Sequence, residues 1–183
     1  MKNLLSLCTI VCLLPLAGCG GGGEDPVADF NEAKQSLETG QGVADAPSYQ
    51  GGSIPHKLAG KGTKHSDELG ATPDTFEGLP YAWVAHSIPE LQLYLKVIWT
   101  YAPTGRTHAY YTPSGVATLE LLHTTVTYTL LEAQTAAVLA TEVLTGDNQF
   151  PSSRSVTGGG GTTIPDTVPA FSVTEWVRPF VER

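Results

Sequence analysis

Residues 91–101 read LQLYLKVIWTY and residues 124–130 read TTVTYTL, and these two runs set the architecture. In the first, Leu93, Leu95, Val97, Trp99 and Tyr101 share one parity, while Tyr94, Lys96, Ile98 and Thr100 share the other. That density of branched and aromatic residues, at that length, is strand composition. In the second, Thr125, Thr127 and Thr129 alternate with Val126, Tyr128 and Leu130, giving one polar and one apolar face. A half-buried antiparallel strand reads this way.

Between and around these runs the chain carries turn chemistry. Pro103-Thr104-Gly105 and Pro113-Ser114-Gly115 predict turns, with extended segments over 108–112 and 116–122. Ala133-Gln134-Thr135 closes a hairpin back into 137–144 if that segment is a strand. Residues 130–144 are also rich in Leu, Ala and Glu, with Gly146 where a helix would stop, so the same segment admits a helix. After Phe150-Pro151 the chain enters a long loop with a glycine run at 158–161. It ends in Val173, Trp176, Val177, Phe180 and Val181, spaced three and four apart, with Ser172 and Glu175 in the form of a capping box. Pro179 should kink or end this helix near Val177. The expected fold is mainly β, with α+β left open: an antiparallel meander or small sandwich closed by one short C-terminal helix.

The N-terminus is of a different kind. Met1 and Lys2 precede an uncharged run over 4–15, the core of a signal peptide and too short to span a bilayer comfortably. It stops at Leu16-Ala17-Gly18-Cys19. This stop resembles the lipobox of bacterial lipoproteins, and the resemblance implies cleavage after Gly18, a diacylglyceryl thioether on the Cys19 sulfur and a further acyl chain on the new amino terminus. Two or more chains give stable anchoring where one does not. Gly20, where some lipoproteins of Gram-negative cells carry an inner-membrane retention Asp, leans the resemblance toward the outer membrane in such a cell, and otherwise toward the outer face of the plasma membrane. The expected organisation is a signal peptide over 1–18, a lipid-anchored flexible tether over 19–48 and a single mostly-β extracytoplasmic domain over 49–183.

Composition narrows the chemistry. Cys8 and Cys12 leave with the signal peptide and Cys19 carries lipid, so no thiol remains for a disulfide, a metal or catalysis. The whole chain has a net charge of −8, and removing residues 1–18 takes away one lysine and no acid, leaving −9. Its few basic residues form no run, which argues against nucleic acid.

Candidate sites are few. His65-Ser66-Asp67-Glu68 is the densest polar cluster, but adjacent positions on one strand or turn do not face a common reacting atom. His56, His65, His86, His108 and His123 lack zinc-motif spacing, and the 158–161 glycines have no following Lys-Ser or Lys-Thr, so neither a metal nor another cofactor is expected. Tyr94, Trp99, Tyr101, Tyr110, Tyr111 and Tyr128 concentrate on the expected sheet, where strands favour aromatics for packing alone. Tyr110 and Tyr111 are the candidate ligand-binding pair, because neighbours on a strand face opposite ways and one should meet solvent. Two functions stay open: a noncatalytic envelope module binding a protein, peptide or glycan, and an envelope hydrolase whose groups, among them His65, Asp67 or Glu120, converge only in the fold.

Overall fold

The computed structural model describes residues 26–51, 54–64, 79–112, 115–152 and 162–183. It is mainly β, a five-stranded mixed sheet with a short C-terminal helix. The strands are β1 (Leu58–Lys64), β2 (Leu93–Thr112), β3 (Gly115–Glu132), β4 (Val138–Thr145) and β5 (Thr163–Pro165). Two α-helices, α1 (Pro26–Glu38) and α2 (Val173–Val181), flank them. The order is β1-β2-β3-β4, with β5 also on β3. β2, β3 and β4 form the expected antiparallel meander; β1 joins β2 and β5 joins β3 in parallel.

The expected turn at Pro103-Thr104-Gly105 is instead a bulge within the 20-residue strand β2, where the register against β3 shifts between Pro103 and Thr107. Side chains replace the lost ladder bonds: Thr104 Oγ1 donates to Leu121 O (2.7 Å) and Gly105 N–H donates to Glu120 Oε1 (3.1 Å). Gly105 takes φ +69°, which glycine adopts without penalty. Among the described residues β1 pairs with β2 only as far as Trp99, so at Pro103 β3 is the one strand beside β2, and proline is tolerated at such an edge or bulge. The segments expected on either side of His123 are likewise one strand, β3. Residues 138–145 resolve as strand, with Thr145, Leu144, Thr141 and Ala140 opposite Thr125, Val126, Thr129 and Leu130 of β3.

One face of the sheet carries Leu58, Leu93, Leu95, Val97, Val126 and Leu130, closed over by Trp83 and by Val177 and Val181 of α2, both fully buried. Each such valine contributes about 1.5 kcal/mol or more. Ser172 Oγ accepts from Glu175 N–H (3.3 Å), the N-terminal half of the expected capping box. The helix continues past Pro179 to Val181, two residues beyond that proline. Arg178 links Glu175 (2.9 Å) to Glu182 (3.2 Å), and burial of Val181 outweighs one missing backbone bond.

The opposite face carries Ala59, Tyr94 and Leu131 under α1. Here the sequence reading needs correction, because from Pro26 onward the expected tether packs against the sheet. Phe30, Ala33 and Leu37 recur at helical spacing and Leu37 is fully buried. Glu38 then accepts from Tyr94 Oη–H through its carboxylate (3.1 Å) and from Lys96 Nζ through its carbonyl (2.7 Å). Val43 N–H donates to Ala133 O (2.9 Å), and a Cβ on Gly42 would overlap the Gln134 carbonyl, so only glycine permits this approach. The stripe is narrow and, after Pro26, Val27 and Ala28, the rest of α1 is polar, which is why the segment reads as tether by composition.

Candidate functional site

β1 stops at the level of Trp99 and β4 at Thr125, but β2 and β3 run on together to the hairpin between Thr112 and Gly115. The result is an arm, flanked among the described strands by the three residues of β5 on its β3 side. On one face of the arm Leu119, Leu121 and Ile164 bury a small apolar cluster, against which Tyr110 and Phe150 pack. Tyr110 Oη donates to Pro151 O (2.9 Å), and the His108 ring meets Tyr110 edge-on at 5.0 Å and Phe150 at 5.2 Å. Arg106 lies over Phe150 (5.4 Å) and donates through Nη1 to Asn148 O (2.8 Å) and Oδ1 (3.2 Å).

The paired tyrosines therefore differ in role. Tyr110 is half-buried and braces the segment after β4. Tyr111 points to the other face and is 90 % exposed, beside its cross-strand partner Val116 at 61 %. The other sheet aromatics are mostly packing: Tyr94 is fully buried, and Tyr128 stacks with Phe171 (4.8 Å) and Trp176 (6.3 Å) beneath α2. Burial, then the Glu38 carboxylate, pushes the Tyr94 phenol well above its ordinary value.

At the base of the arm the structure assembles a pair that the sequence does not announce. His123 Nδ1 lies 2.7 Å from Asp166 Oδ2, across 43 positions of chain. The Asp166 side chain is wholly buried, and it also accepts from Thr124 N–H (2.8 Å) and Asn148 N–H (2.9 Å). Burial pushes this carboxyl up, but the hydrogen bonds from His123, Thr124 and Asn148 outweigh it and hold it below the ordinary aspartate value. An ionised Asp166 only accepts, so Nδ1 carries a proton and Nε2 of the one-third exposed imidazole is left as the acceptor in the neutral ring. Gly146 is required here, since a Cβ on it would overlap the Asp166 carboxylate. The only local hint is a short branched run, Thr163-Ile164, before Pro165 and Asp166; nothing in the sequence pairs it with His123.

A buried carboxylate orienting a partly exposed imidazole is half of a hydrolytic apparatus. Among the described residues no hydroxyl or thiol hydrogen-bonds to His123, and no group of three His, Cys, Asp or Glu is placed to hold a metal. Glu120, a candidate acid or base by sequence, instead holds the bulge through Gly105. His56 is buried against Tyr49 (4.6 Å) and His86 lies beside Tyr81 (5.1 Å), so the histidines are dispersed. Cys19, His65, Asp67 and the rest of that polar cluster, and the 158–161 glycines, lie outside the described residues. Among the described residues no helix is long and apolar enough to cross a membrane. Comparison with protein-family models, with curated proteins and with solved structures finds no match to this chain.

Proposed function

We propose that this chain is a lipid-anchored, noncatalytic binding module of the bacterial envelope, held by acylated Cys19 in the outer membrane of a Gram-negative cell or on the outer face of a plasma membrane. The observation that carries the reading is the exposed Tyr111–Val116 pair on an arm projecting beyond the rest of the sheet. An aromatic and a branched side chain left together in water, on a paired ribbon, suit a pocket on a partner protein better than a sugar ring, because only Tyr111 of the two offers a flat face. Replacing Tyr111 with a photoreactive phenylalanine analogue in intact envelopes should give a discrete protein adduct that is lost when Val116 is changed to Ser. An absence of adduct would count against the arm as the docking element.

The second reading, an envelope hydrolase, is favoured by the His123–Asp166 pair. It requires that the full-length protein hydrolyse envelope-derived ester or glycan substrates, that His123→Ala abolish the activity and that Tyr111→Ser spare it. Equal activity of wild type and His123→Ala would remove this alternative.

A further inference from the structure

Hydrogen bonds fix which backbone groups of β4 face away from β3. Gly146 N–H donates to Thr124 O (2.8 Å), so Gly146 and, by alternation, Leu144 and Glu142 turn toward β3. Thr145, Val143 and Thr141 therefore turn outward, and all three are exposed, Val143 at 53 %. Among the described residues no strand borders β4 on that side, and no hydrogen bond reaches the outward groups of these three. The open stretch has two ends. At one, Asp147, the next outward residue, already donates its N–H to Thr167 O (3.0 Å). At the other, Leu139 is skipped in the pairing with β3, a bulge that bends the strand.

Sheets commonly guard an open edge with lysine or proline. β4 reads VLATEVLT and has neither. Its one charged residue, Glu142, lies on the face of its partner Tyr128, while Thr141, Val143 and Thr145 lie on the other face, opposite Thr129, Thr127 and Thr125 of β3. Along the open stretch that face reads Thr-Val-Thr, the same in either direction.

We propose that this edge pairs with the same edge of a second copy, antiparallel and centred on Val143, joining two sheets across a twofold axis. Only this register uses all three outward positions on both chains: Val143 meets Val143, and each Thr141 meets the other copy's Thr145. The register centred on Glu142 would set two carboxylates directly opposite each other, which is destabilising, and would leave Thr145 facing the bulge. Centred on Val143, Glu142 meets Leu144 instead. A row already running across the sheet, Ile98-Thr127-Val143, then continues into its own image. A contact made by residues 141–145 alone falls below the roughly 1,200 Å² of a stable interface, so it suits copies confined together, as the proposed anchor would confine them.

The test places single cysteines in the full chain, oxidises intact cells with copper phenanthroline and reads dimers on non-reducing gels. Directly opposed residues of a hydrogen-bonded pair have Cα atoms about 5.5 Å apart, within reach of a disulfide, whereas Thr141 would lie about 14 Å from its own copy. Val143→Cys should therefore give a dimer band at least about fivefold stronger than Thr141→Cys or Thr145→Cys alone, and coexpressing those two should restore the band. Wild type should give none, which excludes Cys19 as its source. Val143→Pro, added to the Thr141→Cys and Thr145→Cys pair, removes the central outward N–H but leaves Glu142 and Leu144 bonded to β3. It should abolish the band with the circular dichroism unchanged. Membrane and soluble fractions are read separately, so that loss of the anchor and loss of pairing are seen apart. A second copy is ruled out if Val143→Cys gives no dimer in either fraction, if the three single cysteines crosslink alike, as random collision would make them, or if the band survives Val143→Pro. Capture of Val143→Cys by a different protein equally rules it out and assigns the edge to a partner's strand.

Discussion

Asp166 ties together separate parts of the chain. Its carboxylate gathers His123 and Thr124 from β3 and Asn148 from the segment after β4, while Gly146 gives it room. Asn148 sits there at φ +55°, a conformation asparagine tolerates better than most residues. Replacing Asp166 by Asn turns part of the acceptor into a donor facing donors, and the buried amides left without partners should cost about 2–3 kcal/mol near neutral pH. The pH dependence follows from the direction of the shift. The folded carboxyl titrates below its unfolded value of about 3.9, so its contribution is fully present above that pH and is lost as pH falls through the folded value. Chemical denaturation of wild type and Asp166→Asn should therefore give stabilities that differ most at neutral pH and converge below about pH 4. Curves that stay parallel to pH 2 would show that the carboxylate's charge is not what matters.

At the scale of elements, the docking of α1 is the feature with the largest consequence. Leu37 is fully buried against the sheet, and Tyr94 and Lys96 grip the helix's last residue, Glu38. Leu37→Ala should cost about 3 kcal/mol of unfolding free energy, measured by chemical denaturation, where a residue in a free tether would change stability by no more than about 0.5 kcal/mol. The same substitution should let the Tyr94 phenol titrate closer to an ordinary tyrosine, readable by ultraviolet absorbance at alkaline pH, because it loosens the cover over that ring. Elements whose own residues specify them were legible in the sequence. The strands over 91–101 and 124–130 announced themselves because each has one face to bury, and α2 because Ser172, Glu175 and a five-residue apolar stripe agree. Elements specified by their neighbours were not. The bulge at Pro103-Thr104-Gly105 uses the residues of a turn, and only the partner strand, through Glu120 and Leu121, tells the two apart. β5 is three residues long, too short for any period, and α1 shows just Phe30, Ala33 and Leu37 as an inward stripe on a mostly polar helix. The candidate site suffered in the same way. The opposed directions of Tyr110 and Tyr111 follow from strand alternation, whereas His123 and Asp166 meet through a crossing that no local pattern encodes.

For the whole molecule, docking of α1 changes what a lipid on Cys19 would mean. With Pro26 already in the helix, seven residue steps separate it from Cys19, which limits the link to about 25 Å even at full extension. A tether running to residue 48 would let the domain wander; this one would hold it close over the head groups, with its arm available to partners in the same layer. Attachment at that range would fall to the acyl chains alone. Cleaved after Gly18, the chain would carry −9, would gain nothing from an anionic surface and would have no basic run to act as a second signal. Wild type should therefore stay with membranes through a high-salt wash, and mass spectrometry should find it beginning at an acylated Cys19. Cys19→Ala should accumulate as full-length precursor, and any of it cleaved elsewhere should appear wholly in the soluble fraction. Wild type recovered unacylated and soluble after export would overturn the anchor and place the domain as a freely diffusing protein, whose arm must then find its partner without the help of confinement to a surface.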